Sequence, residues 1–253
     1  MFAKEREEKI LTILNDEGRV NVKNLSETFS VTEDCIRKDL KKLESMGKLK
    51  RVYGGAIPLR QKYLCTDVVK RNTENLHSKE IISKKALSLL NNKDMIFLDT
   101  SSTNLVFAKL LSETNLSITV VTNMIDIVLA LKNHRTIKII CTGGSYVNDI
   151  NGFSGSETIN FINQYLFTKA FLGVAGINLF EGYLTDADIE DGNTKKAIIK
   201  NSKEIYIVME NKKFSYDSFH KFAFINDING IITEATPPKS ILDEAKDNEI
   251  LIL

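Results

Sequence analysis

Short apolar runs alternate with helical stretches over the last two-thirds of the chain, and this alternation limits the possible folds more than any other feature of the sequence. The runs are rich in β-branched residues, and the stretches between them carry apolar residues at helical spacing. Apolar strands separated by helices are typical of a mostly parallel sheet that is covered on both faces. We therefore predict a doubly wound α/β domain, with strands at 95–99, 117–123, 137–144, 169–176, 204–210, 229–234 and 249–253.

Polar groups stand where these predicted strands end, which is where a doubly wound sheet binds its ligands. The richest strand end is the segment 99–103, "DTSST", at the start of a predicted helix; its candidate ligand groups are Asp99, Ser101, Ser102 and Thr103. Hydroxyls and free N–H groups at a helix start can hold a phosphate, but Asp, Ser and Thr also cap helices in general, so this segment fits both interpretations equally. The next two strand ends contribute Thr122, Asn123, Gly143 and Gly144.

The N-terminal part of the chain has a different pattern, centred on a helix that is apolar on one side and basic on the other. In "TEDCIRKDLKKLE", residues 32–44, Ile36, Leu40 and Leu43 recur at spacings of four and three and so form one stripe. Thr32 can cap the start of this helix. At about 100° per residue, the mean direction of four cations lies roughly 160° from the stripe; they are Arg37, Lys38, Lys41 and Lys42. Taken alone, the segment is most simply interpreted as a solvated amphipathic helix.

The neighbouring segments favour a DNA-binding interpretation of the basic helix. Asn21 can cap a short preceding helix, and only two residues separate the end of that helix from Thr32. A short helix, a tight turn and a longer helix form a helix-turn-helix, whose second helix enters the major groove of DNA. The following segment, "MGKLKRVYGGA", predicts a small β-hairpin, or wing, that places Lys50 and Arg51 beside a phosphate backbone.

The order of these segments, and above all "IRKDLKKLE" and "RVYGGA", closely resembles the N-terminal domain of the DeoR family of bacterial transcription regulators. The resemblance implies that Arg37 and Lys38 face the groove. It extends more loosely over the rest of the chain, where "DTSST", "VVTN", "TGG" and "KAFLGVAGI" are similar to segments of the family's effector domain. That domain shares its fold with ribose-5-phosphate isomerase.

The same resemblance implies a ligand for the second domain. The family's effector domain typically senses a phosphorylated sugar, which most often relieves repression, and the matching positions place Lys195 and Lys213 in the site. Ser101 replaces a glycine of the family pattern, and its side chain disfavours a positive φ. Four residues depart from that pattern, and we expect them to lie at one cleft and either to change which ligand binds there or to weaken its binding. They are Ser101, Thr168, Asp191 and Glu210.

Length and charge agree with two domains. A chain of 253 residues has room for between one and two domains of about 150 residues. We predict a winged helix-turn-helix domain at 1–57, a linker at 58–76 and a larger α/β effector domain at 77–253. Residues 1–62 hold 14 Lys and Arg against 10 Asp and Glu, so the positive charge lies in the part predicted to bind DNA.

The expected partners are a double-stranded DNA operator and a phosphorylated sugar. Because helix-turn-helix proteins usually bind two half-sites through twofold symmetry, we also expect a homo-oligomer, a dimer or tetramer. No apolar run approaches the roughly 18 residues of a membrane helix, so no membrane partner and a cytoplasmic location are expected. No nucleotide-binding or metal-ligand motif is seen, so no cofactor and no metal are expected, and the three cysteines are predicted to be reduced thiols: Cys35, Cys65 and Cys141.

Two other classes of protein remain as alternatives to a regulator. A sugar-phosphate isomerase with a DNA-binding head would need a general base, for which Asp186, Asp188 and Glu190 are candidates, although a solvated acidic loop explains that segment equally well. A DNA-compacting protein is disfavoured by the total charge of +1. The histidines show no triad or metal spacing and are expected in the linker or at the surface: His77, His134 and His220. We predict a regulator and not an enzyme.

Overall fold

The computed structural model describes residues 1–63 and 68–253, which form two compact units. The first unit comprises residues 1–61 and 237–244, and the second comprises 62–236 and 245–253. The boundaries proposed at residues 57 and 77 stay predictions. Residues 64–67 of the predicted linker, including Cys65, lie outside the described residues.

The first unit contains a winged helix-turn-helix, as predicted. Its stripe residues Ile36, Leu40 and Leu43 are almost fully buried and join one hydrophobic core. The predicted caps form, because Asn21 Oδ1 accepts a hydrogen bond from Lys23 N at 2.8 Å and Thr32 Oγ1 accepts one from Cys35 N at 3.3 Å. The elements are α1 (Ala3–Glu17), β1 (Val20–Asn21), α2 (Val22–Phe29), α3 (Glu33–Ser45), β2 (Leu49–Val52) and β3 (Gly55–Pro58), followed by β4 (Gln61–Lys62) at the boundary.

The wing is a hairpin of β2 and β3, and its two glycines do not both belong to the turn. Tyr53 and Gly54 form the turn, while Gly55 begins β3 and pairs with both Val52 and Asn21. A Cβ atom on Gly55 would lie only 1.9 Å from the carbonyl oxygen of Val20, so the close approach of β3 to β1 requires a glycine here.

The second unit alternates strands and helices along the chain. Its helices are α4 (Val68–Arg71), α5 (Leu76–Leu87), α6 (Ser102–Leu111), α7 (Ile125–Leu131), α8 (Ser156–Ile162), α9 (Ile189–Lys200) and α10 (Lys239–Asp247), the last of which spans the division between the units. Its strands are β5 (Met95–Leu98), β6 (Thr119–Thr122), β7 (Lys138–Cys141), β8 (Ser145–Val147), β9 (Gly152–Ser154), β10 (Phe167–Leu172), β11 (Gly176–Asn178), β12 (Tyr183–Asp186), β13 (Ser202–Val208), β14 (Tyr216–Asp217), β15 (His220–Phe224), β16 (Gly230–Ile232) and β17 (Leu251–Ile252).

All seven predicted strands are present, and they form one parallel sheet in the order β17-β16-β13-β10-β5-β6-β7. The central strands are buried on both faces, which explains their continuous apolar sequences. The sequence did not predict the antiparallel sheet β11-β12-β15 or the hairpin of β8 and β9.

The order of the strands determines where a ligand can bind. From β5 the sheet grows in one direction through β6 and β7, and from β10 it grows in the other through β13, β16 and β17. The direction of winding therefore reverses between β5 and β10. In open α/β sheets, a crevice forms outside the carboxyl ends of the strands at such a switch point.

Candidate functional site

The basic face of α3 is exposed, as its opposition to the buried stripe requires. Lys38 and Lys41 are exposed and make no salt bridge with any residue that the structure describes. Arg37 lies on the same face but contacts acids of its own helix, at 2.5 Å to Glu33 and 2.8 Å to Asp34. These pairs are more than 40 % exposed, so they hold the guanidinium only weakly and leave it available to another anion.

Two ion pairs join α1 to the same helix. Arg6 donates to both carboxylate oxygens of Asp39, at 2.6 and 3.1 Å, and both side chains are buried. The hydrogen bond to Asp39 raises the pKa of Arg6 although burial opposes its charge. Lys42 Nζ contacts Glu7 at 2.7 Å, so part of the predicted basic face already has a partner within the unit.

The wing presents the other two predicted cations. Lys50 and Arg51 are exposed on β2, and Arg51 Nε lies 2.7 Å from Glu44 Oε2. The hydrogen bonds from Arg51 lower the pKa of Glu44. The side chain of Tyr53 at the wing tip is fully exposed. A basic helix and a basic hairpin therefore project from one small core, and the part that each predicted residue plays in DNA binding stays a prediction.

A cavity of about 210 Å³ lies at the switch point of the second unit. Five of the predicted effector residues line it, namely Ser101, Ser102, Thr103, Lys195 and Lys213. Its wall also includes Gly173, which follows β10, and a Cβ atom at that position would lie 2.4 Å from Ser101 Cβ. The carboxyl end of β10 can therefore approach the start of α6 only because residue 173 is a glycine.

The hydroxyls at the start of α6 have two different roles: one caps the helix and two line the cavity. Ser101 Oγ accepts a hydrogen bond from Asn104 N at 3.1 Å and so caps the helix. Ser101 has a φ of −95°, an ordinary extended conformation, so the expected conflict with a positive φ does not arise. The hydroxyls of Ser102 and Thr103 line the cavity without a hydrogen bond to any described residue. Capping is thus observed for one hydroxyl, and two others are left for a ligand.

Asp99 lies behind the cavity wall and organises it. One of its oxygens accepts from Ser101 N at 3.1 Å and from Asn104 Nδ2 at 2.8 Å, while the other accepts from Gly173 N at 2.8 Å. Asp99 thereby fixes the start of α6 against the end of β10. Burial raises the pKa of Asp99 to about 6, although Lys195 attracts the ionised form.

Lys195 lies among three carboxylates at the base of the cavity. Its ammonium contacts Asp191 at 2.8 Å and Asp99 at 3.7 Å, and it also donates to Asp186. Burial opposes the charge of Lys195, but Asp186, Asp191 and Asp99 together raise its pKa well above the ordinary value. Burial also raises the pKa of Asp186. The cluster therefore holds a charged lysine among three carboxyl groups.

Lys213 has a very different environment at the rim. Its side chain is only 9 % exposed, and it makes no hydrogen bond or salt bridge with any residue that the structure describes. Instead, Nζ lies 3.2 Å from the ring centroid of Tyr63 and 5.8 Å from that of Tyr216. Burial, and to a smaller extent the neighbouring charges of Arg71 and Lys212, lower the pKa of Lys213 to about 7. This ammonium lacks a hydrogen-bond acceptor, which a bound anion would supply.

The remaining predicted effector residues do not line the cavity. Thr122 and Asn123 are fully buried, and their side chains bond to the backbone of Met124 and Phe153. Gly143 accepts a hydrogen bond from Thr158 through its carbonyl oxygen. Gly144 could not carry a Cβ atom, which would lie 2.1 Å from Thr158 Oγ1. Their predicted role in effector binding stays a prediction.

The four departures from the family pattern do not all lie at one cleft, which contradicts the expectation from sequence. Ser101, Asp191 and Glu210 line the cavity. Thr168 instead lies near the amino end of β10, where its hydroxyl donates to the carbonyl of Met95 at 3.0 Å and accepts from the amide of the same residue at 3.1 Å. The expectation was wrong because only the carboxyl ends of the strands border the cavity.

Several residues of the cavity wall were not identified from sequence. Tyr63, Tyr216 and Lys79 lie in segments without a strand-end or motif signal, and Lys79 Nζ donates to the backbone carbonyls of Arg71 and Glu74.

The histidine predictions also need correction. His77 lies within α5, His134 bonds to the carbonyl of Thr114 at 2.8 Å, and His220 is half-buried against Gly192.

A winged helix-turn-helix with an exposed basic helix, in one chain with an α/β unit that holds a polar cavity, defines the class of DNA-binding regulators with a sensing domain. Residues 6–62 match the DeoR-like helix-turn-helix domain, and residues 74–235 match the DeoR C terminal sensor domain, which alone covers more than half of the chain. The chain therefore belongs to the DeoR family and is a DNA-binding transcription regulator rather than an enzyme.

Relatives of similar length support this assignment. The chain is 30 % identical over 247 residues to the glycerol-3-phosphate regulon repressor of Escherichia coli (strain K12), with coverage of 97 % of this chain and 96 % of the relative. It is 30 % identical over 253 residues to the HTH-type transcriptional repressor GlcR of Bacillus subtilis (strain 168), with coverage of 100 % and 96 %. Ribose 5-phosphate isomerase A of Methanocaldococcus jannaschii matches 55 % of this chain and 54 % of its own, at 17 % identity and a TM-score of 0.41.

Two further findings concern the described ranges 1–63 and 68–253. No helix there combines the length and apolar character needed to cross a membrane. No three His, Cys, Asp or Glu side chains there are placed so that they could hold a metal ion together.

Proposed function

We propose that this regulator senses a phosphorylated sugar in the cavity of its second unit. One observation supports the proposal most directly: the hydroxyls of Ser102 and Thr103, at the start of α6, and the ammonium of Lys213 line one cavity without a hydrogen bond or salt bridge to any described residue. A helix start favours an anion through its dipole and free N–H groups. The carboxylates of Asp186 and Asp191 border the same cavity and can accept hydrogen bonds from sugar hydroxyls.

The proposed mode of regulation is repression that the sugar phosphate relieves. Both relatives described above are named as repressors, and the name of one contains glycerol 3-phosphate. By linkage, the ligand changes DNA affinity only as far as it binds the DNA-bound and free states differently. The exposed face of α3 would enter the groove, where Arg37 reads a base edge and Lys38 contacts a phosphate, while Lys50 on the wing contacts phosphates as well.

We also propose that the protein acts as a homo-oligomer of at least two copies. Helix-turn-helix dimers bind half-sites about one helical turn apart, so the symmetry of the protein appears in its operator. An operator selected from random duplex DNA and containing two related half-sites would support the proposal. A single asymmetric site would count against it.

A thermal-shift screen tests the ligand class. The panel is glycerol 3-phosphate, hexose 1- and 6-phosphates, pentose 5-phosphates and inorganic phosphate, with each unphosphorylated sugar as its matched control. A ligand held at 100 times its dissociation constant adds about 2.7 kcal/mol to the free energy of unfolding, and about 5–10 °C to the melting temperature. At least one phosphorylated compound, and none of its unphosphorylated controls, should reach that range. If no phosphorylated compound shifts the melting temperature, the proposed ligand class is wrong.

Binding of the phosphorylated ligand is expected to weaken as the pH rises above about 7. The pKa of Lys213 in the free protein is about 7, with Arg71, Lys212, Glu210 and Asp186 as the charged groups that act on it. An anion favours the ammonium form, so binding takes up a proton wherever the free lysine is neutral, and the affinity falls by up to about tenfold per pH unit. The phosphate itself is already a dianion in this range, because its second pKa is about 6.

Isothermal titration of the phosphorylated ligand into the protein at pH 7.5, 8.25 and 9 measures how the affinity depends on pH. Lys213→Arg is the control, since arginine stays charged throughout and should give a flat profile. A flat profile for the unaltered protein would show that Lys213 does not take up the proton.

A further inference from the structure

Tyr63 is a residue of the cavity wall that follows the DNA-binding segment closely in the sequence. The N-terminal segment of the DNA-binding unit ends at Gln61, and two residues later the side chain of Tyr63 already forms part of the cavity wall in the second unit. Tyr63 is the first residue of the chain to line that cavity. Any ligand that displaces this ring therefore acts on the chain segment that leaves the DNA-binding unit.

The contacts of Tyr63 in the second unit are few and well defined. Its ring centroid lies 3.2 Å from Lys213 Nζ and 5.8 Å from the ring of Tyr216. Its backbone N–H donates to the carbonyl of Asp217 at 2.7 Å, and Ser218 Oγ donates to its carbonyl oxygen at 3.4 Å. The aromatic face is thus the principal partner of a buried ammonium that has no hydrogen-bond acceptor among the described residues.

A bound anion and this aromatic ring compete for the same ammonium. Contact with a ring face is the weaker interaction, because a charge-assisted hydrogen bond to a phosphate oxygen supplies both a full opposite charge and an acceptor. When the ammonium turns toward an anion in the cavity, it leaves the ring of Tyr63 and removes the main side-chain contact that holds residue 63 in place. An anion that binds Lys213 Nζ is therefore expected to displace this ring contact.

We propose that Tyr63 is the coupling residue of this regulator: its contact with Lys213 holds the segment after the DNA-binding unit in the DNA-competent arrangement, and an anionic ligand breaks that contact. This inference rests on the proposed function for the identity of the ligand, but the contact itself exists without one. By linkage the same contact opposes binding of the anion, since the anion must break it.

A double-mutant cycle without any ligand tests the contact. The full-length variants are Tyr63→Leu, Lys213→Met and the double variant, with Tyr63→Phe as the matched control that keeps the ring. Operator affinity is measured by fluorescence anisotropy on duplex DNA selected by the unaltered protein, at about pH 6, below the pKa of Lys213 of about 7, so that the lysine carries its charge. Each single variant should weaken operator binding by about 5- to 30-fold, the range of a desolvated cation–π contact. The double variant should be no weaker than either single one, because both remove the same contact, and Tyr63→Phe should behave as the unaltered protein.

The same variants with ligand separate this inference from the proposed function. The probes are glycerol 3-phosphate and the hexose 6-phosphates, and the readouts are probe affinity by calorimetry and the ratio of operator affinities without and with probe. Tyr63→Leu should bind a probe at least as tightly as the unaltered protein does, because the ring no longer competes for the ammonium, while its ratio of operator affinities falls to about one. If Tyr63→Leu keeps the full ratio, or if the cycle without ligand is additive, the coupling role is refuted even though the ligand class stands. If no probe binds the unaltered protein, the ligand class fails, and the cycle still decides the role of Tyr63.

Discussion

A variant in which both Arg37 and Lys38 are replaced by alanine is expected to bind the operator at least about 100-fold more weakly than the unaltered protein. An arginine that reads a base edge contributes about 1–3 kcal/mol, and a symmetric dimer makes each contact twice. Folding should be unaffected, because both side chains are exposed on α3 and the pairs of Arg37 with Glu33 and Asp34 are surface pairs worth only about 0.3–0.5 kcal/mol. Gel-shift titration on selected operator DNA, with circular dichroism to verify the fold, measures the effect.

The two single variants, Arg37→Ala and Lys38→Ala, should change DNA binding in different ways. Arg37→Ala should relax the base preference at one position of each half-site, since a base reader is lost. Lys38→Ala, if it loses a phosphate contact, should weaken all sequences alike and reduce the slope of log affinity against log salt by about 0.9 per contact. Lys4→Ala, an exposed cation on α1, is the control. Unchanged operator affinity in the double variant would remove α3 as the recognition helix.

The second large effect is expected from Lys195→Met, which should lower the free energy of unfolding by about 3–5 kcal/mol. Lys195 is the only cation in contact with the buried carboxylates of Asp99, Asp186 and Asp191 among the residues that the structure describes. Removal of one partner from a buried ionic cluster leaves uncompensated charge in a poorly solvated place. Urea denaturation at pH 7.5 measures the loss. Lys196→Met, at the exposed neighbouring position of the same helix, is the matched control and should change little.

The pH dependence of this loss distinguishes buried charge from lost packing. The pKa of Asp99 is about 6 in the native protein against about 3.8 in the unfolded chain. The native state therefore holds the extra proton between these values, and the stability due to this group falls as the pH rises from about 4 to 6. In Lys195→Met the carboxylates lose their attracting charge, so their pKa values rise further and the defect should be smaller at pH 5 than at pH 7.5. An equal loss at both values would indicate a packing defect instead.

Much of the fold follows from local patterns in the sequence. The helix-turn-helix appears in the spacing of Ile36, Leu40 and Leu43 and in the capping residues Asn21 and Thr32, because helix periodicity and capping depend on neighbours only a few residues apart. The seven strands of the parallel sheet were likewise predictable, since each is a short apolar run. The candidate ligand loop at 99–103 could be located for the same reason, as the point where a strand changes into a helix.

Which strand ends share a cavity was not encoded in those patterns. Several strand ends with polar residues were candidates in sequence, with 99–103 as the richest, yet only the ends of β5, β10 and β13 among the strands of the parallel sheet border the cavity. Beyond the ends of β6 and β7 the groups are used within the fold: Thr122 Oγ1 accepts a hydrogen bond from Met124 N, and the carbonyl oxygen of Gly143 accepts one from the hydroxyl of Thr158.

The sequence by itself determined the helix-turn-helix with its two caps, the strands of the parallel sheet, the basic helix and the family. Only the tertiary structure decided that Arg6 pairs with Asp39, that three aspartates surround Lys195, and that Tyr63 covers Lys213. The partners in each of these sets include residues far apart in the chain, and they meet only because particular strands and helices pack side by side. Periodicity specifies which face of an element is buried, but the choice of the element that covers it depends on the free energy of the whole packed arrangement.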